Sequence, residues 1–387
     1  MKPKSRRFTL QSFTDVGASI LAILAGLLVG FIIMLISNPS QAVDGFVAIL
    51  TGGVKDMKSM GQVLYFATPI IMTGLSVGFA NKTGLFNIGA SGQFIVGAYF
   101  AILVGVQATA LPGPLRLVLA LLAAAAAGGL WGAVPGLLKA LLNVNEVIAC
   151  IMMNYIGMYF VNFMVVRTVF DSLKNQTTRV PSEANLPKWG MDQLFRSGAS
   201  ASSVNSGIIL AVIMAVVIFI VLQKTRFGYE QKAVGLNRDA ARYAGISQKR
   251  SVVLSMVIAG ALAGLGGAFL YLSGSGKAID VVDVLAAEGF NGIPVALLGL
   301  SNPIGIIFSG LFVAYLTVGG FNMQLYEFAP QVIEIITAVI IYFSAFALLV
   351  KNIVERVRRK RQEAADTAKP PDPPPGASPP VKEVPTA

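Results

Sequence analysis

The chain is built from long, nearly uncharged apolar runs divided by short polar turns. Residues 17–36 carry no charge, and about 20 apolar residues are what an α-helix needs to cross the hydrocarbon of a bilayer. Further runs occupy residues 63–80, 85–106, 115–142, 147–170, 207–223, 251–272, 284–300, 304–319 and 332–350. The apolar residues do not alternate with polar ones, so a membrane β-barrel is not expected. Composition agrees: 55% of the 387 residues are hydrophobic and only 13% are charged, where soluble domains have about 25% charge. The expected fold is an all-α polytopic membrane protein of about ten transmembrane segments. Segments 85–106 and 284–300 hold polar residues and glycines and fit short or broken helices. The first run exceeds the roughly 7–15 residues of a signal-peptide core, so it reads as an uncleaved helix.

A net charge of +11 could suggest nucleic acid, but the basic residues flank the apolar runs instead of forming one patch, so no nucleic-acid partner is expected. They write topology, because cytoplasmic loops are enriched in Lys and Arg. Placing the N-terminus inside puts 21 of the 30 Lys and Arg on the cytoplasmic side. The expected organisation is a cytoplasmic N-terminus over 1–16 and a membrane domain over 17–350, with an external loop at 171–206 and a basic cytoplasmic loop at 224–250. A basic, then Pro-rich, cytoplasmic tail over 351–387 has a composition that favours disorder. Both termini are expected in the cytoplasm.

Several chemistries are missing. There is no histidine, and Cys150 is the only cysteine, so no metal site and no disulfide within the chain are expected. No phosphate-binding G-x-x-x-x-G-K-[ST] occurs; Gly276-Lys277 is followed by Ala278. Active transport would need an ion gradient or a partner ATPase. A gradient-driven carrier usually keeps ionisable groups at mid-membrane, and Glu288 is the one candidate. Arg167, Lys139 and Glu334 read as interfacial anchors, with Glu146 at the inner boundary. A membrane-embedded enzyme would lack His, a metal cluster and paired carboxylates.

Inside the basic loop, residues 235–246 read as a short cytoplasmic helix. Asn237 suits the N-cap, where its side chain satisfies free N–H groups. Ala240, Ala241 and Ala244 favour helix, and Gly245 suits the position after the last turn, where positive φ is needed. So short a helix is marginal alone, which suggests that a cytoplasmic protein packs on Gly235, Asn237, Arg238, Ala241, Arg242 and Gly245.

This stretch is similar to the coupling-helix region of ABC-importer permeases in the ribose/nucleoside/branched-chain amino-acid superfamily. Other stretches agree in order. Gly84-Leu85-Phe86-Asn87-Ile88-Gly89-Ala90-Ser91-Gly92-Gln93 resembles its N-I-G-x-x-G-Q element. Asn145-Glu146-Val147-Ile148 with Met153-Asn154-Tyr155-Ile156 resembles an element of the nucleoside (BMP-lipoprotein-linked) branch. Gly292-Ile293-Pro294-Val295-Ala296-Leu297-Leu298-Gly299 with Asn302-Pro303 resembles an element near the C-terminus, where Pro294 departs from the usual small apolar residue. The resemblance implies a bacterial cytoplasmic-membrane permease subunit for a small neutral solute. It implies import of nucleosides, with a ribose-type sugar as the alternative and ion-coupled transport as a more distant one. It also implies separate ATPase subunits carrying ATP and Mg, a second permease forming a heterodimer, and an extracytoplasmic binding lipoprotein. No cofactor is expected in this chain.

Polar groups in apolar runs cost several kcal/mol unless paired or facing a wet cavity. Asn87, Ser91, Gln93, Asn154, Glu288 and Asn291 are therefore candidates for the solute path, with Phe86, Tyr155 and Phe290 as stacking rings. Spaced glycines at 26/30, 74/78, 128/132/136 and 260/264 predict close helix contacts.

Overall fold

A computed structural model describes residues 24–345 and Arg356. The N-terminal segment over 1–16, the start of the first apolar run and nearly all of the 351–387 tail lie outside the described residues. Helix α1 spans Leu24–Ser37 and α2 spans Ala42–Thr51. Four long helices follow: α3 (Met57–Lys82), α4 (Ala90–Gln107), α5 (Gly113–Leu142) and α6 (Glu146–Thr168). A long loop then carries two short hairpins, β1–β2 (Phe170–Asp171, Gln176–Thr177) and β3–β4 (Arg196–Ser197, Ser200–Ala201), flanking a single turn, α7 (Met191–Leu194). Next come α8 (Gly207–Lys224), α9 (Arg226–Leu236), α10 (Arg238–Tyr243) and α11 (Gln248–Tyr271). The chain continues through α12 (Ala287–Phe290), α13 (Gly292–Leu298), α14 (Pro303–Met323) and α15 (Pro330–Ala345).

Seven of these helices (α3–α6, α8, α11 and α14) are long and apolar enough to cross a membrane. The expected eighth segment is not one helix. Residues 284–300 form two short helices, because Gly289, Asn291 and Gly292 interrupt the run, and α13 at seven residues rises only about 10 Å. The third segment begins as helix only at Ala90, five residues after the apolar run starts. Conversely α3 starts at Met57, where Asp56 caps it by accepting a 2.6 Å hydrogen bond from the Ser59 N–H. Its first turns therefore precede the apolar run that starts at residue 63.

Helix α3 is the central post, with 89% of its apolar stretch buried, against 28% for α5. Glycines permit the tight contacts. On α5 and α11, a Cβ on Gly128 would collide with the Gly260 carbonyl, one on Gly260 with that of Gly128, and one on Gly264 with that of Ala124. Gly74 and Gly78 of α3 take Val295 and Ile306 of α13 and α14. One end of the bundle holds the turns after α3, α5 and α13 together with α9 and α10; it is the basic end. The other holds the β1–β4 loop and residues 273–286, joined by Thr177 N–H to Ile279 C=O (2.9 Å) and Leu186 N–H to Leu272 C=O (2.8 Å).

Candidate functional site: an inner cavity and the basic end

The non-helical backbone between α3 and α4 lies beside other helices, where unpaired N–H and C=O groups are costly. The predicted amides answer that need. Asn154 Nδ2 donates to the Ile88 carbonyl at 3.0 Å, and its Oδ1 accepts from Gly92 N–H at 2.8 Å. It thereby holds the open start of α4 against α6. Asn87 and Gln93 bond reciprocally at 2.8 and 3.2 Å, and Asn87 Nδ2 also donates to Ser76 Oγ at 3.0 Å. Ser91 Oγ donates to the Ala286 carbonyl at 2.8 Å, tying α4 to the coil before α12. Each of these four side chains is 0–1% exposed.

A cavity of about 790 Å³ opens beside this framework, between α3, α12–α13, α14 and α15. Small-solute sites span about 300–1,000 Å³. Phe66, Pro69 and Ile70 of α3 and Val313, Thr317 and Phe321 of α14 line one part; Lys277, Glu288 and Asn291 line another. Glu334 and Tyr342 of α15 border it as well. The Phe66 and Phe321 rings lie 5.5 Å apart at 52°, and Lys277 Nζ pairs with Glu288 Oε1 at 3.0 Å. Aromatic surface, an amide, a hydroxyl and a neutralised ion pair can hold a flat polar solute without demanding charge.

Of the residues singled out for the path, Glu288 and Asn291 line this cavity. Asn87, Ser91, Gln93 and Asn154 lie in the buried framework. Phe86 packs half-buried beside the Val77–Ala296 cluster, Phe290 is half-buried on α12, and Tyr155 is 46% exposed on α6. The three rings form no shared stack. Sequence reasoning missed Phe66, Lys277, Thr317 and Phe321; only the ring and charge types were visible, since folding alone brings their distant positions together. Glu334 also borders the cavity. Among the other ionisable groups, Lys139 pairs with Glu146 at 2.9 Å, and Arg167 covers the Phe163 ring at 3.9 Å.

At the basic end the expected helix over 235–246 is divided. Residues up to Leu236 belong to α9, capped by Thr225, and only Arg238–Tyr243 form α10. Asn237 makes the break, because its extended backbone leaves its side chain to accept from Ala240 N–H at 2.9 Å. Gly245 (φ +81°) closes α10, with Gly245 N–H bonding the Arg242 carbonyl and Ile246 N–H that of Ala241, both 3.0 Å. Ala241 is buried beneath α10, Arg238 is half-buried and Arg242 is exposed. Leu236 and Tyr243 are 88% and 94% exposed, an apolar pair left uncovered on a charged surface. Gly235 is exposed, with its inner side packed against Lys82 and Gly84.

Seven helices long and apolar enough to cross a membrane, with a cavity beside α3 and α14 and a helical knuckle at the basic end, are the frame of a polytopic membrane protein. The chain belongs to the family of permease components of the branched-chain amino acid transport system, whose pattern matches residues 59–345. It is 38% identical over 344 residues to the guanosine ABC transporter permease protein NupP of Bacillus subtilis, covering 88% of this chain and 96% of the relative. It is 36% identical over 358 residues to the nucleoside ABC transporter permease protein NupB of Lactococcus lactis (90% and 96%). Identity to the glucose ABC transporter permease protein TsgB13 of Haloferax volcanii is 32% over 343 residues (87% and 89%). The first two organisms each hold a second, more distant relative: NupQ at 27% over 280 residues (70% and 84%) and NupC at 25% over 304 (74% and 93%). No solved structure matches. The protein is a membrane-embedded ABC transporter permease.

Proposed function

We propose that the chain forms one half of the path of an ATP-driven importer for nucleosides. The cavity carries this reading: it sets the Phe66–Phe321 rings and the Lys277–Glu288 pair around one space, suited to a neutral molecule with a flat ring and several hydroxyls. The names of the two bacterial relatives, guanosine and nucleoside permeases, favour nucleosides over the glucose of the third. Glu288 and Asn291 contact the solute, while Asn87, Ser91, Gln93 and Asn154 hold the wall.

The basic end faces the cytoplasm, where its Lys and Arg belong, and both termini lie on that side. Residues 236–245, with Leu236 and Tyr243 exposed, dock on a separate ATPase that binds ATP and Mg. The paired relatives in each bacterium support a second, different permease as the other half. An extracytoplasmic binding protein delivers solute to the opposite end, and this chain carries no cofactor of its own.

Uptake of labelled guanosine into cells, challenged with unlabelled nucleosides, pentoses and glucose, tests the substrate. Competition by nucleosides supports the reading; competition by sugars alone moves it to a sugar permease. Arg238→Glu or Arg242→Glu should abolish uptake and co-purification of the ATPase while leaving membrane insertion intact. Normal uptake by both variants removes the docking assignment. Vesicle uptake that follows an ion gradient and ignores ATP overturns the class.

A further inference from the structure

We infer that the turn between α3 and α4 is the joint that carries movement of the docking helices into the cavity wall. Gln231 and Gly235 grip it from one side; Leu300 and Ser301 are held on the other. The inference rests on the docking role proposed above for α9 and α10.

On the docking side, Thr83 Oγ1 donates to Gln231 Oε1 at 2.9 Å, both residues fully buried. Gly235 lies so close to the Lys82 carbonyl that a Cβ could not be inserted, and Gly84 (φ +70°) turns the chain against it. Helix α9 therefore bears directly on the turn through a buried hydrogen bond and a backbone contact.

On the cavity side, Asn81 Nδ2 donates to Ser301 Oγ at 3.2 Å, and Lys82 Nζ donates to the Leu300 carbonyl at 3.3 Å. Leu300 and Ser301 are consecutive residues in the left-handed region, with φ of +55° and +50°. Residues with a Cβ stay there only where their surroundings hold them. Beyond this point there is little slack. Gly292 abuts the Thr73 backbone, Gly289 abuts Ser91, and Gly74 meets Val295. Close-packed contacts transmit displacement instead of absorbing it. A push on the turn from α9 thus moves α12 and α13, and with them Glu288 and Asn291 at the cavity.

The test uses the full transporter, purified with its ATPase and second permease and reconstituted in proteoliposomes with its binding protein. Thr83→Val with Gln231→Leu removes both partners of the buried hydrogen bond while keeping their shape, which is close to neutral for folding. The expected result is retained ATPase subunit, ATP hydrolysis within about twofold of wild type, and guanosine taken up per ATP reduced about tenfold. Unchanged uptake per ATP overturns the joint, as does loss of uptake together with the ATPase subunit. Asn81→Cys with Ser301→Cys, bridged by a short methanethiosulfonate cross-linker, gives an independent arm. Turn and wall move together, so bridging should leave uptake unchanged; a block relieved by reductant overturns the inference. A wild-type complex without any ATPase would instead remove the functional reading on which the joint depends.

Discussion

Lys277 Nζ lies 3.0 Å from Glu288 Oε1, pinning the loop after α11 to the first turn of the interrupted segment. Both side chains line the cavity and are partly solvated, so the pair contributes on the order of 0–1 kcal/mol to stability. On the proposed path, its importance is the charge presented to solute. Lys277→Met leaves the Glu288 carboxylate without its cation in a cavity that Glu334 also borders, and guanosine uptake should fall about tenfold. The neutral double variant with Glu288→Gln should recover to within about threefold of wild type. Wild-type rates in both single variants would place the solute path elsewhere.

The Asn87–Gln93 pair calls for a different outcome. The two amides bond each other inside the protein, so Asn87→Leu leaves Gln93 buried and unpaired, at about 1–3 kcal/mol, whereas in Gln93→Leu the Asn87 amide keeps its bond to Ser76 and the loss is smaller. Asn87→Leu and Gln93→Leu should each lower thermal stability in detergent, and the double variant should lose less than the sum. Purified protein that keeps wild-type stability but takes up guanosine poorly would return these amides to the path.

The physical reason for that distinction also sets how far the sequence could be read. Apolar run length located the long helices, since the bilayer imposes it directly. The caps at Asn237 and Gly245 were legible because capping is decided within a few residues. The purpose of Asn87, Gln93 and Asn154 was not. An amide in an apolar run reports that a polar group needs a partner, but a wet cavity and a broken backbone make the same demand. Lys277 and Phe66 gave still less sign, because their meeting depends on how α3 packs against α11–α14. Likewise the single helix expected over 235–246 ignored that an N-cap must first break the preceding helix.

The glycines of α5 and α11 were expected to permit close helix contacts, without a sign of which helices. Gly128, Gly260 and Gly264 bring these two helices of one chain into backbone contact. Gly260→Val must drive them apart, and overpacking of this kind costs about 1–3 kcal/mol. Reduced thermal stability of the isolated subunit is expected. Normal stability with loss of the second permease from the complex would show instead that the seam belongs to the subunit contact.

Helix α10 depends on its two ends, because six residues are too few to be helical alone. Asn237→Ala removes the acceptor for Ala240 N–H, at a cost of about 1 kcal/mol. Gly245→Ala places a Cβ at φ +81° with open space around it, so its cost is backbone strain of roughly 1–2 kcal/mol, not a clash. Neither change touches the apolar pair Leu236 and Tyr243 directly, yet both loosen the frame that presents them. Each variant should insert normally and hold its fold in thermal melts, while hydrogen exchange over 238–246 rises and affinity for the ATPase drops. Leu236→Ala with Tyr243→Ala should reduce that affinity with no change in exchange. If the cap variants bind the ATPase as tightly as wild type while exchange rises, α10 need not be formed in advance, and the exposed side chains alone carry the contact.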